Sequence, residues 1–448
     1  MLGRDKSKAL CDDVLRRVGE DMAEISINTL DEALTRFANN GIHQNVSETD
    51  VTIGVRIFLG SREGTASTNR MDSTALDAVV NRARANAAIS PENPDFPGLN
   101  GPKVYAYLQS FDELTAEYAP QERAEAVRAV CSLADSKDLN AFGAYTTGVS
   151  EIVLANTKGM FAYHMTTNAD FQTVIMEKDG DASGWAQGSG WKAENIPAEA
   201  LGAEAIRKAE MGPNPRSIEP GEYTVVLDPY ATQDILMMLN MTGIGANSLQ
   251  EGRSWMNDRI GKQVFSPSVS IWDDALDPNG IPIPFDFEGT PKQRVDIVVD
   301  GVVLGPVYDR TTAKKDGRES TGHGLPPSAR GFSPLAVNLF MAPGDASVDE
   351  MIQSTERGLY ITRFHYTRPV HPANCVITGM TRDGVYWIED GVIRYPVKNM
   401  RFTQSYVEAL GAVEAVGRET QLIIAMGIIA TRVPALKLEK FNFTGLTV

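Results

Sequence analysis

Apolar residues in the first ninety positions follow two different periods, one typical of helices and one typical of strands. A spacing of three and four residues predicts amphipathic helices over "KSKALCDDVLRRVG" and over the segment that Ser73 is expected to cap. Strict alternation in "VTIGVRIF" predicts a strand with one apolar face. The inward positions are Leu10, Val14, Leu15 and Val18 in the first helix, Leu76, Val79, Val80 and Ala83 in the second, and Val51, Ile53, Val55 and Ile57 in the strand.

The rest of the first half continues this mixture of helices and strands. Pro120 opens one amphipathic pattern and Pro197 another, because proline suits the first turn of a helix. Between them, residues 141–190 predict four strands, with Asp179-Gly180 as a hairpin turn. The turn-rich segment "GPNPRSIEPGE" (212–222) then predicts the end of an N-terminal α+β domain, residues 1–211.

The second half is mostly strand-like. A strand, "YTVVLDP", leads into one apolar helix, "ATQDILMMLNM", and the apolar run "LIIAMGIIA" (422–430) predicts a single buried strand. The pairs Asp300-Gly301, Asp383-Gly384 and Asp390-Gly391 each predict a two-residue hairpin turn. The predicted fold class is therefore α+β, with the N-terminal domain followed by a β-rich C-terminal domain with few helices, residues 218–448.

Composition and charge limit the classes of protein that this chain resembles. The 448 residues carry a formal net charge of −16, which disfavours nucleic acid as a partner because phosphate contacts need clustered Lys and Arg. The longest apolar run is nine residues, short of the roughly 20 that a membrane helix needs. No apolar leader follows Met1, so we expect a cytoplasmic protein that does not bind membranes. The scattered Cys11 and Cys131 are expected to be buried thiols.

Common catalytic motifs are missing from the sequence. It contains no HExxH, no P-loop, no GxGxxG after a strand and no GxSxG. The segment "TRFANNGIHQNV" (35–46) predicts a strand that ends in a turn, either a structural corner or a polar edge beside a binding cleft.

Two polar segments of the second half are candidates for binding. Residues 285–310 form either a charged surface hairpin or a polar cluster that lines a groove. The loop "GRESTGHG" (317–324) is glycine-rich, and we expect Arg318, Ser320 and His323 to bind the backbone of a peptide substrate, although a solvated loop is the alternative. The charged residues of the 285–310 segment are Glu288, Arg294, Asp309 and Arg310.

The segment "HYTRPVHPANC" is the best metal-binding candidate by residue type. His365, His371 and Cys375 can all ligate zinc. On an extended strand, however, two residues six positions apart lie roughly 20 Å from each other, too far to share one ion unless the chain turns at Pro369 or Pro372. We therefore expect a structural strand leading into the Asp383-Gly384 hairpin, with no metal.

Three further segments carry a resemblance to a known family. In order along the chain, they are "TRFANNGIHQN", "FDFEGTPKQRVDIVVDGVVLGPVYDR" and "TGMTRDGVYWIEDGVIRYPV". Together they resemble the TldD/PmbA family, also named peptidase U62 or modulator of DNA gyrase, over nearly the whole chain. The resemblance implies an α+β N-terminal domain, a β-rich C-terminal domain and a cytoplasmic metalloprotease built from a TldD-type and a TldE-type (PmbA) subunit.

The resemblance also implies where the metal of that family is bound. The TldD-type subunit carries HExxxH on the helix after a strand like "TVVLDP", together with a late cysteine. Here the corresponding positions fall near Met237, Met238 and Thr242, residues 165–322 contain no histidine, and no cysteine follows Cys375. The helix is therefore expected to be packed core, and the chain to be of the TldE type with no catalytic residues, metal or cofactor of its own.

The functional expectation is a partner subunit rather than a complete enzyme. A TldD-type subunit that holds zinc would form the heterodimer, and unfolded or flexible peptides would be the substrate. One alternative is an autonomous metallohydrolase that uses His365, His371 and Cys375, with or without His323. Another is a binding or modulator protein without a proteolytic role.

Overall fold

The computed structural model describes residues 1–427 and 429–446. Among these described residues, the N-terminal half forms one antiparallel sheet with long central strands. Its strands are β1 (Met22–Ala38), β2 (Gly41–Leu59), β3 (Arg62–Thr68), β4 (Leu139–Asn156), β5 (Phe161–Glu177) and β6 (Ser183–Gly190). Their order across the sheet is β3-β2-β1-β4-β5-β6, so the edge of β2 is left without a strand partner over residues 41–52.

Helices cover one face of this sheet. They are α1 (Arg4–Val18), α2 (Ser73–Ile89), α3 (Glu113–Ala116), α4 (Pro120–Ser136) and α5 (Ala198–Glu210). The predicted apolar positions of α2 and the strand face of β2 are confirmed, and Cys11 and Cys131 are buried as expected. In α1, Val14 and Val18 are buried, whereas Leu10 and Leu15 are half-buried.

Two local expectations for the N-terminal half are wrong. Ser73 is the first residue of α2 and not its cap, because the side chain of Asp72 accepts the hydrogen bond from the Ala75 amide at 3.1 Å. Residues 141–190 hold three strands, two of them long, where the alternation predicted four short ones. Interruptions such as Gly148 do not end a strand when neighbours pair along both of its edges.

The C-terminal half is built around a second, larger sheet. Its strands are β7 (Gly221–Leu227), β8 (Ile271–Asp273), β9 (Val295–Val299), β10 (Val302–Val303), β11 (Asn338–Met341), β12 (Arg357–His371), β13 (Val376–Glu389), β14 (Val392–Pro396), β15 (Met400–Ser405), β16 (Val413–Ala425) and β17 (Ile429–Leu446). Its helices are α6 (Pro229–Leu239), α7 (Ala246–Gln250), α8 (Arg310–Lys315), α9 (Val348–Gln353) and α10 (Tyr406–Gly411). The predicted α+β class, with a β-rich second half, is confirmed.

Two of the three Asp-Gly hairpin predictions for this half are confirmed. Asp300-Gly301 joins β9 to β10 and Asp390-Gly391 joins β13 to β14, both with the positive φ values of a tight turn. Asp383-Gly384 instead lies inside β13, where it bulges opposite Thr362 of β12. The hydroxyl of Thr362 donates to the Asp383 carbonyl at 2.9 Å, so the strand continues through the irregularity.

The turn that joins β12 to β13 ends nine residues before Asp383, where the sequence predicts a turn. It is a short 3₁₀ segment, Pro372–Asn374, and Cys375 follows with a left-handed φ of 45°. The run 422–430 is also not one strand. Met426 and Gly427 have positive φ and separate β16 from β17, and Ile428 lies outside the described residues.

The largest hydrophobic cluster of the described residues spans both halves, while α1 and α2 pack on a separate cluster. A single apolar cluster contains residues of α4 and α5 together with residues of β7, α6 and β17. Polar contacts cross the predicted domain boundary as well, since the ammonium of Lys208 lies 2.6 Å from the carboxylate of Asp228. Among the described helices, none combines the length and apolarity that crossing a bilayer requires.

Candidate functional site

Helix α6 is enclosed by the C-terminal sheet and its neighbouring segments. It begins at Pro229, directly after β7, and Asp228 precedes it in extended conformation. Nine of its eleven residues are buried, with Met238 at 8% and Met237 half-buried. The prediction of a packed core helix is therefore confirmed.

A π-helical turn, Asn240–Ile244, continues α6. A π turn bonds residues five apart, and such turns occur mostly as short insertions that are frequent at functional sites. Met237 lies in the last turn of α6 and Thr242, five residues later, lies within the π turn. The wider turn suits the five-residue separation of the two histidines in an HExxxH motif, although neither position holds a histidine here.

Thr242 and Cys375 meet at the end of α6. The Thr242 hydroxyl donates to the Met238 carbonyl at 2.6 Å, and its oxygen lies 3.3 Å from the Cys375 sulfur. Burial raises the pKa of the Cys375 thiol to about 12, so the sulfur is a neutral thiol at physiological pH. Metals bind the thiolate, which this environment disfavours.

A buried carboxylate lies on the same helix. Asp234 accepts hydrogen bonds from the hydroxyl of Thr367 in β12 at 2.6 Å and from that of Tyr406 in α10 at 2.8 Å. Burial raises the pKa of Asp234 to about 6, and both hydroxyl donors act against that rise. Asp234 thus ties α6 to two elements that are more than a hundred residues away in sequence.

The candidate ligands His365, His371 and Cys375 are not assembled into a site. His371 is exposed at the end of β12, His365 is half-buried within that strand, and Cys375 is buried against Thr242. Within residues 1–427 and 429–446, no group of three or more His, Cys, Asp or Glu side chains is arranged to hold a metal ion.

The three residues expected to bind substrate lie in different environments. Arg318 is exposed with its guanidinium 5.8 Å from the ring centre of Tyr308, and the hydroxyl of Ser320 donates to the Tyr308 carbonyl at 3.1 Å. His323 is 1% exposed, and its Nε2 lies 2.8 Å from the Asp273 carboxylate. Arg318 and Ser320 thus share one surface, while His323 points into the core.

The 285–310 segment forms a buried polar cluster beneath that loop. Glu288 accepts from the Arg310 amide at 2.8 Å, and Asp309 accepts from the Ser333 hydroxyl at 2.7 Å. Burial, together with the neighbouring carboxylates of Asp286 and Asp309, raises the pKa of Glu288 to about 8. The carboxylate of Asp286 ties this cluster to the loop by accepting from the Gly324 amide at 2.8 Å. Asp309 is buried and Glu288 is half-buried, so the segment is not a charged surface hairpin at these positions.

The Asn-Asn-Gly segment forms the tight turn between β1 and β2. Asn39 and Asn40 have positive φ, and the Asn40 side chain bonds the backbone of Leu139 and Ala141 at 2.8 and 2.6 Å. These contacts support the structural-corner interpretation of residues 35–46.

A cleft of about 330 Å³ separates the other face of the N-terminal sheet from a proline-rich segment. Ser26, Asn28 and Ser67 line the sheet side, and their side chains make no hydrogen bond to any described residue. Phe287 and Pro326 line the opposite wall. The cleft thus combines polar side chains that are free of hydrogen bonds to described residues with an apolar wall.

Sequence comparison decides the family. Models of the PmbA/TldA metallopeptidase family match residues 23–87 (domain 1), 110–212 (central domain) and 220–445 (C-terminal domain). The chain belongs to the TldD/PmbA family. It is 24% identical to the "Metalloprotease TldD homolog" of Haemophilus influenzae, covering 88% of this chain and 87% of that protein. It is 25% identical to "Metalloprotease PmbA" of Escherichia coli O157:H7, covering 90% and 88%.

Structural comparison gives the same fold. The chain superposes on TldE from Thermococcus kodakarensis with a TM-score of 0.90 and 18% identity, covering 97% of this chain and all of that one. Within the TldD/PmbA fold, the sequence predicted the packed helix α6 but not the hydrogen bonds of Asp234 with Thr367 and Tyr406. The one local signal for Asp234 was a carboxylate in a mostly apolar helix. The pattern alone does not show which hydroxyl groups hydrogen-bond that carboxylate.

Proposed function

We propose that this chain is a TldE/PmbA-type, metal-free subunit of a heterodimeric TldD–TldE-type metalloprotease that acts on unfolded or flexible peptides. The observation that carries the proposal is the combination of a π turn at the end of α6 with Met237, Met238 and Thr242 at the positions of the family's metal motif. These side chains supply neither the two imidazoles nor the carboxylate that the motif needs.

The residues of α6 do not fit zinc. A catalytic zinc site uses imidazole and carboxylate ligands, with a carboxylate to activate water. Thioether and hydroxyl groups replace them here, and the nearby Cys375 is a buried neutral thiol. We therefore assign zinc and the catalytic step to the TldD-type partner, and no catalytic residue to this chain.

This chain would contribute substrate-binding surface and assembly. The 330 Å³ cleft offers unpaired polar side chains for a peptide backbone. The exposed edge of β2 over residues 41–52 offers backbone groups for strand addition, which binds chains without regard to their sequence. Arg318 and Ser320 belong to this proposal as surface contacts, and His323 as a buried support for their loop.

The test is reconstitution with a TldD-type protein. Native extract is passed over the tagged chain and the bound proteins are identified by mass spectrometry. The purified chain alone is then assayed on an unfolded polypeptide, with and without the recovered partner. We expect no activity from the chain alone and chelator-sensitive proteolysis from the mixture.

Three outcomes would contradict the proposal. Chelator-sensitive proteolysis by the chain alone, with stoichiometric zinc that is lost in His371→Ala, would favour an autonomous metallohydrolase. Capture of gyrase without any TldD-type protein would favour a non-proteolytic modulator. An inactive mixture of correctly folded, associated subunits would exclude the peptidase role.

A further inference from the structure

A second cleft, of about 720 Å³, opens at the other end of α6 from the π turn. It lies where α5, β7 and the start of α6 meet α9 and the β16 segment around Gly417. Its volume falls in the range of about 300–1,000 Å³ that is typical of small-ligand sites. None of its lining residues belongs to the family's metal motif or to the 330 Å³ cleft.

The floor of this cleft holds a buried charge cluster. The ammonium of Lys208, 1% exposed, lies 2.5 Å from the Glu204 carboxylate and 2.6 Å from Oδ2 of Asp228. One cation thus serves two carboxylates, and the three groups together carry one net negative charge. Oδ1 of Asp228 accepts no hydrogen bond from any described residue, although Asp228 is only 7% exposed.

Tyr360 supplies an unpaired polar group at the same floor. It is 3% exposed and lines the cleft, and its hydroxyl makes no hydrogen bond within residues 1–427 and 429–446. Burial, followed by the carboxylate of Asp228, raises the pKa of Tyr360, so the hydroxyl remains a protonated donor and acceptor. Because Tyr360 lines the cleft, this unpaired hydroxyl is available to hydrogen-bond a ligand.

The rim carries charges of both signs. Arg207 is exposed and forms no ion pair with any described carboxylate. Arg418, in contrast, is held by Glu350 at 2.6 Å. Arg207 is therefore the rim cation that remains available for a carboxylate, while the net negative floor favours an ammonium.

We propose that this cleft binds a zwitterion of amino-acid or short-peptide size. The ligand's ammonium binds Asp228 and the Tyr360 hydroxyl, and its carboxylate binds Arg207. The site takes the two termini of a peptide and not its internal backbone. The proposal does not depend on the proposed partner subunit, because all of its residues belong to this chain.

The test is isothermal titration calorimetry of the purified chain with the dipeptide Ala-Ala. N-acetyl-Ala-Ala lacks the ammonium and Ala-Ala-amide lacks the carboxylate. We expect saturable one-to-one binding of Ala-Ala and a loss of about tenfold or more in affinity for each capped form. Tyr360→Phe, which removes only the hydroxyl, is expected to weaken Ala-Ala about tenfold.

Arg207→Gln gives a sharper comparison because Arg207 is exposed and its loss leaves the core intact. This variant should weaken Ala-Ala about tenfold but leave binding of Ala-Ala-amide unchanged. The exposed Arg16, on α1, provides a matched control, and Arg16→Gln should bind like the native chain. Absence of saturable Ala-Ala binding, equal binding of all three dipeptides, or an equal effect of Arg207→Gln on both probes would overturn the proposal.

Discussion

At the scale of single residues, the pattern of apolar and polar positions does not predict which polar side chains are buried. Asp234 lies in the mostly apolar helix α6. Its carboxylate accepts hydrogen bonds from two hydroxyls that are 133 and 172 residues away in sequence. His323 is similar, since its partner Asp273 is 50 residues earlier. Residue type alone made His323 a surface candidate, whereas its distant partner holds it inside the molecule.

The protonation of Asp234 gives a test of this burial. Its folded-state pKa of about 6 lies above the ordinary value of 3.8, so its contribution to stability is greatest below about pH 4 and is lost as pH rises through 6. Asp234→Asn cannot ionise. The free energy of unfolding of the native chain, relative to this variant, should fall by roughly 2–3 kcal/mol between about pH 4 and pH 7.

Urea denaturation of both proteins across this pH range makes the measurement. The variant keeps only one acceptor oxygen for Thr367 and Tyr406, so it is expected to be less stable at low pH. A difference that stays constant across the range would show that Asp234 titrates normally and is accessible to water.

At the scale of elements, a prediction from local pattern is confirmed where the neighbouring elements bury the apolar face that the pattern predicts. The apolar faces of α2 and β2 follow directly from their periods. Two Asp-Gly pairs form tight turns, but Asp383-Gly384 is a bulge, because its carboxylate pairs with Arg363 and accepts from Ser183 at 2.7 Å. A turn signal specifies backbone conformation, and the surrounding sheet decides whether the chain reverses.

The contact between α4 and α5 gives a test at this scale. Gly202 lies within α5, where alanine normally stabilises a helix by about 0.5–1 kcal/mol. A Cβ at this position would lie 2.7 Å from Cγ2 of Val130. We expect Gly202→Ala to lower the free energy of unfolding by about 1–3 kcal/mol, because overpacking outweighs helix propensity.

A second substitution separates the clash from other causes. In the Val130→Ala background, the added methyl group has room, so Gly202→Ala should be neutral or stabilising there. Chemical denaturation of the two single variants and the double variant gives the coupling energy. Equal effects of Gly202→Ala in both backgrounds would rule out Val130 as the cause.

At the scale of the whole molecule, the two predicted domains pack against each other through apolar and polar contacts. Residues of α4 and α5 belong to the same apolar cluster as residues of β7, α6 and β17, and the Tyr386 hydroxyl donates to the Lys208 carbonyl at 2.6 Å across the boundary. The prolines and glycines of residues 212–222 predict the boundary, but these residues specify only the local backbone conformation. Whether the segments on either side pack together depends on which of their surfaces come into contact, and the sequence pattern does not show this.

We therefore expect the full chain to unfold in a single cooperative transition by calorimetry. Proteolytic cleavage within residues 212–220 should leave the two fragments associated on size-exclusion chromatography, because separation would expose the shared core. Two resolved transitions, or free fragments after cleavage under native conditions, would show that the halves are independent.

The sequence by itself determined the α+β class, many of the elements, and the absence of histidine from residues 165–322. These follow from residue type and period, which are local properties. Only the tertiary structure decided that α6 ends in a π turn, that Thr242 meets Cys375, and that Glu204, Asp228 and Tyr360 line one cleft. Each of these depends on contacts between distant segments, whose free energy is set by packing and burial and is not encoded in any short stretch.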